Sequence, residues 1–271
     1  MLWVDRRHFL ATLAAGTAGL LTGCADRTTG IGVSSGTAVP PSDTPPSTTP
    51  PPRLPLAGPL PSTRVRLPAE TITALPGTGR ALALTIDDGA SSEVVGAYCQ
   101  FAKDTGARFT FFVTGQFDAW RDNRAALVPL VESGQVQLGN HSWSHPDLTS
   151  LTARGCADEL TRTKRFLRNT YGVDGTPYYR PPFGYRNAQV DAVAASLGYT
   201  MPTLWDGSLS DSGLVTEKFL IGAARRYFRP QRIVIGHAND DPVTRVYDHF
   251  TTIIRQRRLQ MVTLDDYFAP R

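Results

Sequence analysis

Two adjacent carboxylates close an apolar run in Leu84-Thr85-Ile86-Asp87-Asp88-Gly89, and the glycine behind them lets the chain turn away. At a strand end both can face one mouth. Buried side by side they repel, so the pair needs a cation or two different protonation states. A second candidate segment is Gly139-Asn140-His141-Ser142-Trp143-Ser144-His145-Pro146. Histidines four apart share one face of a helical turn, which brings both ring nitrogens within reach of one metal ion. Two imidazoles and one carboxylate give three protein ligands and leave positions for water, the arrangement of a catalytic rather than a structural metal centre. Cap or surface histidines share that spacing; an Asp-Asp-Gly at another strand end is what favours the metal. In Tyr178-Tyr179-Arg180-Pro181-Pro182-Phe183-Gly184 the double proline forces an extended chain that fixes Arg180. A guanidinium there can keep a nearby carboxylate charged and oriented. Finally, Ile233-Val234-Ile235-Gly236-His237 delivers one histidine to the end of an apolar run. A satisfied structural histidine is as common there as a catalyst; a position at the same mouth favours the catalyst.

The elements that must carry these residues are short apolar strands at 81–86, 108–113, 135–139, 178–180, 199–205, 232–235 and 260–264. Helical patterns lie between them at 92–105, 123–133, 153–171, 188–197, 216–228 and 243–258. Strands alternating with helices predict an α/β domain with a parallel sheet of βαβ units. Seven strands leave two architectures, an open doubly wound sheet or a closed barrel. Both place active sites at the C-terminal ends of strands, where the reactive residues collect here. Cys99 and Cys156 lie in helical stretches without metal-ligand spacing and read as buried free thiols.

The whole chain has 271 residues, 41% hydrophobic and 19% charged, with a net charge of +4. Those averages exclude a multi-span membrane protein, a disulfide-dense mini-domain and a fully disordered chain. No dense basic run marks nucleic acid binding; Arg255-Gln256-Arg257-Arg258 reads as a solvated helix face. Ten of the 21 prolines fall between Pro40 and Pro61, in a Pro/Ser/Thr tract that cannot bury enough surface to order itself and so reads as an extended spacer. Ahead of it, Arg6 and Arg7 precede an apolar run of 13 residues from Phe9 to Leu21, too short to span a bilayer but suited to a signal peptide. The run ends in Leu21-Thr22-Gly23-Cys24, which resembles a bacterial lipoprotein cleavage site, and the paired arginines resemble a twin-arginine export signal. The expected organisation is a signal peptide at 1–23, a lipid-bearing Cys24 and spacer at 24–66, and one catalytic domain at 67–271. That makes a membrane, reached through the Cys24 lipid on its extracytoplasmic face, an expected partner.

Taken together, the reactive segments resemble the polysaccharide deacetylases, the NodB-like group of carbohydrate esterases. The family's T-F-D-D-G stands here as Thr85-Ile86-Asp87-Asp88-Gly89, with Ile for Phe. Its H-[ST]-x-x-H stands as His141-Ser142-Trp143-Ser144-His145, its R-x-P-[FY] as Arg180-Pro181-Pro182-Phe183, and its apolar run ending in His as 233–237. The resemblance covers about 81–268 and implies a distorted (β/α) barrel with seven strands. It implies that Asp88, His141 and His145 bind a divalent metal, Zn2+ first, with Co2+, Fe2+ or Mn2+ as alternatives. It further implies that Asp87 is the general base, supported by Arg180, and His237 the general acid. The implied reaction removes N-acetyl groups from amino sugars of a cell-envelope or extracellular polysaccharide, peptidoglycan or chitin-like. Pro182, Phe183 and Trp205 are candidate contacts to that acetylated glycan, although core packing explains aromatics such as Trp143, Phe183 and Trp205 equally well. The fourth motif departs from the family: in Trp205-Asp206-Gly207-Ser208-Leu209-Ser210-Asp211-Ser212, serines replace a usual Asp and Trp. Either Asp206 or Asp211 can supply the missing carboxylate. Two other readings share these residues, a non-catalytic metal-containing glycan-binding lipoprotein and an O-acetyl esterase. The mild basicity at most favours an acidic envelope polymer.

Overall fold

The structure is a computed structural model that describes Pro55, Leu56, Gly58, Leu60, 63–68 and 70–269. The expected signal peptide, Cys24 and most of the expected spacer lie outside the described residues. In chain order the first half contains β1 (Val65–Arg66), β2 (Ala81–Asp88), α1 (Ser92–Thr105), β3 (Phe109–Val113), α2 (Ala119–Asp122), α3 (Arg124–Glu132), β4 (Val136–Asn140) and α4 (Ala153–Tyr171). The second half contains β5 (Tyr178–Tyr179), α5 (Ala188–Ser196), β6 (Met201–Pro202), β7 (Gly207–Ser208), α6 (Glu217–Tyr227) and β8 (Arg232–His237). It ends with α7 (Tyr247–Gln256), β9 (Gln260–Met261), α8 (Leu264–Tyr267) and β10 (Phe268–Ala269).

A single parallel sheet organises these elements, in the order β6-β5-β4-β3-β2-β8-β7, with β9 pairing to β2 as an eighth strand. Central β2 is buried along its whole length, as expected of a parallel strand covered on both faces. Its side chains divide by alternation. Leu82, Leu84 and Ile86 join Phe109, Phe111 and Val234 in the larger core, which also takes the apolar faces of α1, α6 and α7. Ala81 and Ala83 join Phe112, Ile233 and Val262 in a second core beneath the curl of the sheet. The apolar periodicity locates α1 and α4 because their ends are chemically marked. Ser91 and Thr152 accept the N–H groups of Val94 and Gly155, and α1 stops at Gly106 in the left-handed conformation.

The choice between open sheet and barrel resolves to a curled sheet that its own strands do not close. The expected strand at 199–205 contracts to Met201–Pro202, and no hydrogen bond joins β6 to β7 among the described residues. Residues 72–75 occupy the gap. Ile72 bridges to Thr203 on one side, and Ala74 bridges to Arg232 on the other. The folded body also begins before residue 67. Leu56 is buried, donates its N–H to the Thr105 carbonyl at 2.9 Å and accepts from Met261 at 3.3 Å, and β1 pairs with β10. Cys99 and Cys156 are buried and unpaired, and burial pushes each thiol up to about 11.

Phe111 sits at the centre of the larger core, with Tyr98, Phe109 and Trp120 arranged edge-on around its ring. Truncating it removes those contacts and leaves a cavity that the rigid sheet cannot collapse. Phe111→Ala is expected to lower the unfolding free energy by about 3–5 kcal/mol. Urea denaturation followed by tryptophan fluorescence checks it; a loss below about 1 kcal/mol contradicts this account of the core.

Candidate active site

Parallel register brings the reactive strand ends to one edge of the sheet. Asp87 pairs with His237, Asp88 with Val113, Val113 with Asn140, and Asn140 with Tyr179. Successive strand residues normally point to opposite faces, which would separate Asp87 from Asp88. The backbone prevents that. Asp88 adopts φ 73° and Gly89 φ 93°, so the chain twists and both carboxylates approach His141, at 3.5 and 3.6 Å from its Nε2. Gly89 is required twice over, since a Cβ there would land inside the Trp120 indole. Trp120 locks the turn by donating Nε1–H to the carbonyls of Asp88 and Thr114, at 3.1 Å each.

The two histidines reach each other by a route that the spacing did not indicate. Residues 142–145 form a loop rather than a helical turn, with Ser142 at φ 66° and His145 at φ 60°. Polar contacts replace the missing helix bonds. Asn140 Oδ1 accepts from Ser142 N–H at 2.9 Å, and Ser142 Oγ accepts from His145 N–H at 3.0 Å. Glu159 of α4 accepts from the N–H groups of Trp143 and Ser144 at 2.9 and 2.8 Å. His141 Nδ1 lies 2.7 Å from the Arg180 carbonyl, which can only accept, so Nδ1 carries the proton and Nε2 keeps its lone pair for the site. His145 Nε2 lies 3.4 Å from Asp88 Oδ1.

One ligand atom from each of Asp88, His141 and His145 lies within 4.8 Å of the other two. This two-nitrogen, one-oxygen donor set fits a divalent metal, and its protonation suits ligation. Burial would raise the Asp88 carboxyl, but His141, the Asn239 hydrogen bond, His145 and His237 together hold it below its usual value. Burial and the neighbouring His141 lower His145 despite the two carboxylates, keeping its imidazole neutral. Asn239, which donates to Asp88 Oδ2 at 2.8 Å, escaped the sequence reading. Its only signal was a place two residues beyond His237.

Arg180 and His237 frame the carboxylates. Arg180 is fully buried, with Nη1 2.6 Å from Asp87 Oδ1 and Nε donating to the Thr203 carbonyl at 2.9 Å. Its guanidinium lies 4.2 Å from the Phe112 ring centroid. His237 Nδ1 lies 3.0 Å from Asp211 Oδ1, which resolves the two candidate carboxylates in favour of Asp211. Asp206 instead accepts from Arg232 Nη1 at 2.7 Å and from Ile233 N–H at 3.2 Å, at the far end of β8. Burial opposes the charge on His237, but the Asp211 hydrogen bond and the charges of Asp87, Asp211 and Asp88 outweigh it and raise the imidazole above its usual value.

These groups line a cleft of about 550 Å³. Phe183 and Trp205 border it, whereas Pro182 does not; both prolines are buried, and Pro181 is the one that lines the cleft. Phe183 is 57% exposed, with its ring centroid 4.6 Å from that of His145. Trp143 packs elsewhere, against Phe166 and under Arg162. The divergent fourth motif supplies a wall of hydroxyls. Ser208, Ser210 and Ser212 line the cleft while Leu209 and Asp211 are buried behind them. Among the described residues, five of the seven non-glycine residues with left-handed backbone, Asp88, Ser142, His145, Phe183 and Ser210, belong to the loops of this cleft, the clustering expected of stored strain at a functional site.

Because Asp211 is the only carboxylate bonded to His237 among the described residues, Asp211→Asn should lower the His237 pKa. Titration of the imidazole signals by NMR reads this directly; an unchanged or raised value would show that Asp211 does not set the protonation of His237.

Residues 75–202 match the family described as Polysaccharide deacetylase. The peptidoglycan-N-acetylglucosamine deacetylase PgdA of Listeria monocytogenes serotype 1/2a is 29% identical over 200 residues, covering 72% of this chain and 40% of that one. A chitin deacetylase of a Pestalotiopsis species is 30% identical over 146 residues, covering 53% of this chain and 47% of that one. The chain therefore spans less than half the length of either relative. The solved structure of Bacillus subtilis PdaA, a family 4 carbohydrate esterase, superposes with a TM-score of 0.64 at 24% identity, covering 72% of this chain and 83% of that one.

Proposed function

We infer from the match of residues 75–202 to the polysaccharide deacetylase family that the chain is a metal-dependent hydrolase that removes N-acetyl groups from amino sugars of an acetylated envelope glycan. The observation that carries this reading is the pairing of Asp87 with Arg180 at 2.6 Å, beside the Asp88/His141/His145 donor set and across the sheet register from a carboxylate-bonded His237. Asp88, His141 and His145 would hold the metal, with zinc the best match to two imidazoles and a carboxylate and Co2+, Fe2+ or Mn2+ also accommodated. Held there, a divalent ion would supply Lewis acidity, making water more acidic and polarising the acetamide carbonyl.

The remaining steps fall to the protein. Arg180 occupies Asp87 Oδ1, which leaves Oδ2 on the His141 side to accept the proton of the attacking water. As the carbon–nitrogen bond breaks, the amine must leave protonated. His237 is suited to supply that proton because its Nδ1 side is occupied by Asp211, so Nε2–H is the proton available to the cleft. Attack adds water to the carbonyl carbon, and the products are acetate and the free amine. Base and acid lie on adjacent strands in register, so their spacing is set by the sheet rather than by loops. An ester could enter the same site, but an alcohol leaves with less help from an acid than an amine does. We also propose that the protein is exported and lipid-tethered through Cys24, a reading supported by the apolar run from Phe9 that ends in Leu21-Thr22-Gly23-Cys24. No helix among the described residues is long and apolar enough to cross a membrane.

Asp87→Asn should lower acetate release from acetylated glycan by about 10²–10⁴-fold, the usual worth of a general base. Treatment with a chelator should abolish release and added zinc should restore it. An Asp87→Asn protein as active as wild type would sink the reading. His237→Ala should slow amide cleavage more than ester cleavage when both acetyl substrates are assayed together; equal losses would remove His237 from the role of acid.

A further inference from the structure

The large apolar side chains that stay exposed among the described residues are Leu60, Phe183, Tyr185, Leu214 and Phe219. Phe183 lines the cleft, and the Tyr185 ring lies beside it with centroids 5.8 Å apart. Leu214 and Phe219 lie on the chain that runs from the serine wall into α6, so four of the five sit beside the candidate site or just past it. A second hollow of about 560 Å³ opens along α6, formed by residues that include Thr216, Lys218, Phe219, Gly222 and Arg226. Ser210 lines both this hollow and the cleft, so the two adjoin.

The charge of the hollow is also specific. The acid of α6, Glu217, is engaged by Arg245 at 2.5 Å. Exposed Lys218 and Arg226 have no carboxylate partner among the described residues, and the Arg226 guanidinium rests 5.1 Å from the Tyr227 ring centroid. An exposed aromatic ring beside two uncompensated cations suits a ligand that is apolar on one face and anionic on an edge.

We propose that the α6 hollow is a second saccharide site, filled by further units of the glycan chain whose acetamide lies in the cleft, and that it selects chains bearing carboxylates. The proposal rests on the deacetylase reading for the identity of that chain. The apolar face of a sugar ring packs on Phe219, and a carboxylate on that sugar or its substituent accepts from Lys218 and Arg226. A neutral chain gains only the first contact, and a monosaccharide held in the cleft gains neither.

The test compares wild type, Phe219→Ala and the double variant Lys218→Ala/Arg226→Ala as full chains with zinc present. The probes are N-acetylglucosamine, its neutral pentamer, and uncrosslinked peptidoglycan strands with free stem-peptide carboxylates. Acetate release gives kcat and KM, and calorimetry gives affinity. Phe219→Ala should raise KM about three- to tenfold for both polymers with kcat close to wild type, the range for a lost ring contact. The double variant should raise KM about two- to fivefold for the carboxylate-bearing strands alone, and abolish their salt sensitivity. Unchanged polymer KM values in Phe219→Ala, equal changes for monosaccharide and pentamer, or equal effects of the double variant on neutral and acidic chains would each overturn the second site. If wild type releases no acetate from any probe, the deacetylase reading fails instead, and the calorimetric affinities decide the second site by the same pattern.

Discussion

Arg180 carries a guanidinium into the interior with no exposure to solvent, opposite an Asp87 side chain that is 2% exposed. An isolated charge in that position would be prohibitive, and removing one partner of such a pair costs about 3–5 kcal/mol. The surroundings are therefore built around keeping the pair together. The Thr203 carbonyl takes the guanidinium Nε, and the ring of Phe112 covers the guanidinium. The backbone of the same residue works as hard as its side chain. Its N–H donates to the Asn140 carbonyl at 2.9 Å, which joins it to β4, and its own carbonyl fixes the tautomer of His141. One residue thus fixes the proposed base, the orientation of a proposed metal ligand and the path of the chain between them. A lysine could supply the charge but not the planar fork that makes these contacts at once.

The rest of the site depends on backbone conformations that ordinary residues avoid. A regular strand end would send Asp87 and Asp88 apart, and a regular turn would place His141 and His145 on a helix. Left-handed residues at Asp88, Ser142 and His145 break both regularities and aim four side chains at one point. Each such residue costs of order 1–3 kcal/mol and persists only where its neighbours over-determine it. Trp120 does so for Asp88, and Asn140 with Glu159 does so for the histidine loop.

Much of this was legible in the sequence because strand ends and chemistry coincide. The apolar runs at 81–86, 108–113 and 232–235 are strands in the structure, and parallel register then obliges Asp87, Asp88 and His237 to share one edge. The bounds of α1 and α4, whose starts carry the capping hydroxyls of Ser91 and Thr152, were readable to the residue, whereas α8, capped by Thr263, starts within an expected strand. The misses were those where tertiary contacts outweigh local pattern. Two-residue strands such as Gly207–Ser208 have no periodicity to detect, and the bridging of 72–75 exists only because the sheet leaves a gap. The choice between Asp206 and Asp211 needed the register of β7 on β8, and only the path of the folded loop shows that Pro181 rather than Pro182 lines the cleft. Asn239 carries no motif; its role follows from Asp88 being buried with a spare oxygen to satisfy.

The serine wall shows one way in which such a domain can change. From Gly207 to Ser212 exposure alternates residue by residue: Leu209 and Asp211 are buried while Ser208, Ser210 and Ser212 face the cleft. Inward Asp211 bonds His237, whereas the outward serines border the cleft, where Ser208 Oγ accepts from the N–H of Ser210. Selection for a different ligand could therefore rewrite the odd and even positions of this segment separately, one set for chemistry and one for taste. A family pattern altered at the outward positions with Asp211 kept is what such independent inheritance would leave behind.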